Sequence, residues 1–206
     1  MSLELLNTVG TLVTVLIVAT AAIAALVQLR HLRASNQINA MLAIGAEFEA
    51  QHYRESLDLI RRKLGQALEM PGFRELIASV LHATPSPDVD AEAKEIRRAA
   101  IHVGNSFEEL GILMKHGVVD ETMFLDRYSR VIRGTWRLLA PFIAFMRKVA
   151  GDPAIYENFE LLVVRAEDFD RAHPSAYPPR VRRIDVDSSW PIPPRAVNPA
   201  SSEGRA

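Results

Sequence analysis

The sequence predicts an all-α protein: one N-terminal transmembrane helix, then a cytoplasmic antiparallel helical bundle, then a disordered Pro-rich tail. Three observations predict this. A charge-free apolar run opens the chain. Apolar residues recur at helical spacing through its middle. Prolines crowd its end. The boundaries fall at 1–33, 34–172 and 173–206.

The opening run is the sharpest feature. Leu5 to Leu29 are 25 consecutive uncharged residues, 18 of them hydrophobic. At about 1.5 Å per residue they make a helix of roughly 37 Å, enough for a hydrocarbon core of about 30 Å. Core helices of soluble proteins rarely run so far without a charge. A cleaved signal peptide fits poorly, because Glu4 precedes the run and no Lys or Arg does. The partner implied is a lipid bilayer, through residues 5–29. Arg30, His31 and Arg33 follow the run, so the positive-inside rule sets the N-terminus outside and the C-terminal domain in the cytoplasm. The expected place is a bacterial inner membrane, crossed once. Gly10/Thr14, Thr20/Ala24 and Ala21/Ala25 are small pairs four apart that suit a helix dimer.

The middle reads as helix throughout. A first helix from Ser35 to about Glu69 continues the direction of the span, with Gly45 as its candidate break. Tyr53, Leu57, Ile60, Leu64 and Ala67 form its apolar stripe, spaced 4-3-4-3. Pro71-Gly72 ends it. A short helix over Gly72–His82 stops at the breaker cluster Thr84-Pro85-Ser86-Pro87. Asp88 or Asp90 caps the next, whose stripe is Ile96, Ala100, Val103, Phe107, Leu110 and Met114. His116 and Gly117 close it. Asp120 caps a long helix to Ala150 with two apolar rows. One is Phe124, Tyr128, Val131, Thr135, Leu138, Phe142, Phe145 and Val149. The other is Leu125, Ile132, Leu139 and Met146. That wide face marks it as the centre of the bundle, with Pro141 expected to kink it. Pro153 should open the last helix, where Ile155, Phe159, Leu162, Ala166 and Phe169 align. Beyond it, residues 173–206 hold seven of the twelve prolines and too few apolar residues to fold alone. Trp190-Pro191-Ile192-Pro193-Pro194-Arg195 could fit a proline-binding groove.

Composition excludes several chemistries. The 206 residues carry 24 Lys+Arg against 25 Asp+Glu, a net charge of −1, so no nucleic-acid partner is expected. Six His and no Cys exclude disulfides, a cysteine nucleophile and thiolate metal sites. No phosphate-binding loop, dinucleotide fingerprint, nucleophile elbow or zincin motif is present. One Glu-x-x-His pair, Glu49-Ala50-Gln51-His52, falls short of the two that a di-iron bundle requires. No cofactor or metal is expected. Pairing of Glu108 or Glu109 with Arg147 or Lys148 is expected as structure, linking the third and fourth helices. The basic stretch Arg61-Arg62-Lys63 reads as a solvated face.

One pair has catalytic form. Arg97 and His102, five apart on a helix, resemble the Arg–His motif of HEPN-type helical ribonucleases. There the Arg would stabilise phosphate charge and the His would move protons. The polar residue usual after the Arg is missing, since Arg98 stands there.

Residues 30–169 resemble a bacterial family, domain-of-unknown-function family 4760. Asn36-Gln37, Phe107-Glu108-Glu109-Leu110, Gly117, Trp136, Pro141-Phe142-Ile143 and Arg147 carry the resemblance. It implies one N-terminal span followed by a helical cytoplasmic domain, and no known activity. A looser similarity is to phage abortive-infection membrane proteins. The reading favours a non-enzymatic protein whose cytoplasmic helices bind a protein partner or a second copy. The alternative is a membrane-tethered defence effector using Arg97 and His102.

Overall fold

The computed structural model describes residues 3–85, 87–175, 177 and 180–184. Among them are six helices and no strand. They are α1 (Leu3–Glu49), α2 (Gln51–Glu69), α3 (Pro71–Leu81), α4 (Ala91–Lys115), α5 (Glu121–Ala150) and α6 (Glu157–Ala172). The chain divides into two compact units, Met1–Pro174 and Ser175–Ala206. In the second, the Tyr177 hydroxyl donates to the Arg182 carbonyl at 2.8 Å. The Trp190–Arg195 motif lies outside the described residues.

Local chemistry explains three of the helix ends. The Asp90 carboxylate accepts from the Ala93 amide at 2.6 Å, and Asp120 accepts from Met123 at 2.9 Å. Each satisfies an amide that the first turn leaves without a partner. Gly151 takes the left-handed conformation (φ 65°) just past α5, where a side chain would be strained.

Two boundaries differ from expectation. The span and the first soluble helix are one continuous α1, and the break falls at Ala50 rather than Gly45. Ala50 is extended, with φ −61° and ψ 139°. Gly45 stays helical, and a Cβ there would make only an ordinary contact with the Tyr128 phenol oxygen at 3.5 Å. The last helix begins at Glu157, not Pro153, because residues 153–156 form turns and Tyr156 is left-handed (φ 59°).

Packing runs from helix to helix. α2 lies on α4, α4 on α6, and α6 on α5, while α3 packs on both α5 and α2. The stripes predicted for α2 and α4 are all buried. In α5 the second row is the deeper one: Leu125, Ile132, Leu139 and Met146 are buried, whereas Val131 of the first row is exposed. The core centre is aromatic. Phe107 stacks on Phe159 at 4.7 Å between ring centroids, and Trp136 meets Phe159 edge-on at 5.0 Å. Two glycines of α4 let the α6 segment approach. A Cβ at Gly111 would lie 2.1 Å from the Asn158 carbonyl oxygen, and one at Gly104 would touch the Tyr156 ring.

The expected Glu–Arg pairing between α4 and α5 is replaced by contacts to the start of α6. Glu108 accepts from the Asn158 side chain at 2.7 Å and from the Phe159 amide at 2.8 Å. Arg147 instead pairs with Glu160 at 2.7 Å and donates to the Ile155 carbonyl. α6 has no side-chain cap of its own, so Glu108 supplies from another helix the acceptor its first amides need.

Candidate functional site

Two features of α1 stand apart from the bundle core. One is its apolar first half, and the other is the cluster formed where its last turn meets α2 and α4.

The first half is bare. α1 is long and apolar enough to cross a membrane, and none of its most apolar 18-residue window is buried. Leu12, Leu16, Ile17, Val18, Ile23 and Leu26 are each more than 60% exposed. Burial of such side chains stabilises by about 1.5–3 kcal/mol each, so water is a poor solvent for this surface. Its hydroxyls are already satisfied. Thr8, Thr11, Thr14 and Thr20 donate to the carbonyls of Glu4, Asn7, Gly10 and Leu16 at 2.8–2.9 Å. That arrangement needs no water.

The second half enters the bundle. Ile44 is buried, and the Phe48 ring sits about 5 Å from those of Tyr53, Phe107 and Tyr128. Residues five apart on an unbroken helix point about 140° apart. The extended Ala50 breaks that geometry and changes the direction of the chain. Glu47 Oε1 then meets His52 Nε2 at 3.3 Å. α4 brings His102, whose Nε2 lies 4.0 Å from the same oxygen. The two imidazole rings are 5.1 Å apart. The three donor atoms all lie within 4.8 Å of one another.

Below this cluster Tyr53 is buried, and its hydroxyl has no hydrogen-bond partner. Burial pushes its phenol far above the ordinary range; Arg61 pulls it down, and Glu47 adds a smaller push upward. Beside the cluster, His52 and His102 line an open groove of about 640 Å³ with Glu55, Arg62, Glu95 and Arg98. The arrangement offers two imidazoles and a carboxylate beside an open groove.

Arg97 is not part of it. In the unbroken α4, Arg97 and His102 keep the angular separation of about 140°. Arg97 acts electrostatically on Tyr156, and partial burial lowers its pKa. Tyr156 donates to Asn105 at 3.0 Å and is pushed up to about 12, chiefly by burial, with Glu108 adding to the shift. His102 instead faces Glu47 and His52. Arg97 and His102 thus have different neighbours.

Sequence reasoning missed Glu47. The acidic partner of His52 is not Glu49 of the Glu-x-x-His pair, which lines a different groove with Met123 and Arg127. Nothing in the Ala50 neighbourhood, neither Gly nor Pro, signals the break that joins Glu47 to His52.

The family model described as Domain of unknown function (DUF4760) matches residues 15–166. The chain belongs to this family. The match begins inside the apolar half of α1 and ends within α6, so it takes in part of the first feature and all of the second. No curated protein and no solved structure matches the chain.

Proposed function

We propose that this member of the family is a single-pass membrane protein whose helical domain binds a protein partner from the cytoplasmic face. The observation that carries the reading is the exposed apolar half of α1, continuous with a second half whose Ile44 and Phe48 pack on the bundle. A backbone in hydrocarbon must satisfy its own hydrogen bonds, and an α-helix does so. The four threonines extend that self-sufficiency to side chains. Arg30, His31 and Arg33 follow the apolar run, which supports a cytoplasmic bundle.

Just past those basic residues, Ile38 and Leu42 of α1 and Met123 of α5 are each at least half exposed around one groove of about 680 Å³. Apolar surface grouped in this way supports docking of a protein. Deleting residues 1–33 tests the anchor. The full chain should sediment with membranes and resist carbonate extraction, and the truncated chain should stay in the supernatant. A full chain released by carbonate would overturn the membrane reading. A photo-crosslinker at Ile38 tests the docking reading, because it should capture one discrete partner that Leu42→Asp loses.

A further inference from the structure

We propose that Glu47, His52 and His102 form a binding site for a divalent first-row metal ion such as Zn²⁺, bridging α1, α2 and α4.

The donor set suits such an ion. Imidazole nitrogen and carboxylate oxygen bind zinc at about 2.0–2.2 Å, and two His with one carboxylate are enough to hold it. Tetrahedral bonds of that length put neighbouring donors about 3.4 Å apart. Glu47 Oε1 and His52 Nε2 already stand at 3.3 Å. His102 Nε2 is 4.0 Å from Glu47, and the widest separation in the set is within 4.8 Å. Closing those gaps takes side-chain rotation of about an ångström. The side chains have that freedom, being 44%, 61% and 37% exposed for Glu47, His52 and His102.

A second observation points the same way. The Nε2 of His102 is cut off from solvent and has no hydrogen-bond partner. At 4.0 Å from the Glu47 carboxylate it is too far for a hydrogen bond. A buried polar atom without a partner is costly, and a metal ion between the two groups would satisfy both. The groove beside His52 and His102 gives the ion a way in. Three protein ligands leave at least one coordination position for water.

The site has a mechanical consequence. Its ligands flank the only extended residue between α1 and α2, and the third comes from the core helix α4. An ion there would fix the angle at which α1 leaves the bundle. The inference rests on these three side chains and does not require that α1 cross a membrane.

The test uses the full chain in detergent micelles, with any affinity tag removed and metal stripped by chelator. Titration with Zn²⁺ should show one ion per chain and raise the melting temperature. His52→Ala, His102→Ala and Glu47→Gln should each weaken binding at least tenfold and abolish the rise in melting temperature. His116→Ala, at the far end of α4, should change neither. His52 is well exposed, so its variant should keep the fold, and far-ultraviolet circular dichroism checks that. Co²⁺ should give the absorption of a four-coordinate imidazole site in the parent chain and not in His52→Ala. No saturable Zn²⁺ binding, or binding of equal affinity in the three ligand variants, would overturn the proposal. Whether the chain sediments with membranes is read separately.

Discussion

The first half of α1 and the whole of α5 are both rich in large apolar residues, yet one is bare and the other is the heart of the bundle. α5 sets its apolar residues in rows and fills the remaining perimeter with charge, including Asp126, Arg127, Arg130 and Arg137. That pattern leaves one wide face to bury against α3 and α6. α1 is apolar all round from Leu5 to Leu29, so no single face is singled out for packing. The difference teaches that the position of charge around a helix, more than apolar content, decides whether it is buried in the bundle or left bare.

Paired substitutions sharpen this contrast. The largest effect is expected at Phe142 in α5, which is 1% exposed. Phe142→Ala should lower bundle stability by about 3–5 kcal/mol, whereas Leu16→Ala in α1 should leave it within about 0.5 kcal/mol. Urea unfolding of the full chain in micelles reads both. A comparable loss for Leu16→Ala would mean that the first half of α1 packs on the bundle after all.

Glycines give the next pair. Gly111→Ala drives a methyl group into the Asn158 carbonyl, so α6 must shift, at a cost of about 1–3 kcal/mol. Gly10 in α1 has nothing within 4 Å of such a methyl, and Gly10→Ala should be silent. A loss of stability in Gly10→Ala that depends on protein concentration would reveal a helix pair using the Gly10/Thr14 face. The smallest of the expected losses belongs to a cap. Asp120→Ala removes the acceptor for the Met123 amide and should cost α5 about 1 kcal/mol, read in the same unfolding curves.

Much of this architecture is legible in residue order. The α2 stripe from Tyr53 to Ala67 and the α4 stripe from Ile96 to Met114 are periodic, and period alone places them inside. Asp90 and Asp120 announce their helices because a cap acts on amides three residues away. The α5 rows were harder. Both have helical spacing, and only the neighbours set around α5 decide that Ile132 lies deeper than Val131.

The cluster at Glu47 was not legible, and two pairs with equal spacing show why. Glu47 and His52 are five apart, as are Arg97 and His102. One spacing gives a 3.3 Å contact because the backbone breaks at Ala50. The other keeps its helical separation of about 140° because α4 runs on unbroken. Sequence spacing converts into distance only when the backbone conformation between the residues is known.

The sequence by itself determined the helical class, the uncharged run from Leu5 to Leu29, the faces of α2 and α4, and the capped starts of α4 and α5. These follow from interactions within about four residues, which order along the chain encodes directly. Tertiary structure alone decided the break at Ala50, the supply of an α6 cap by Glu108, the close approach at Gly111, and the meeting of His102 with Glu47 and His52. Each depends on groups from different helices, and the free energy that holds them comes from a packed core that no local stretch of sequence contains.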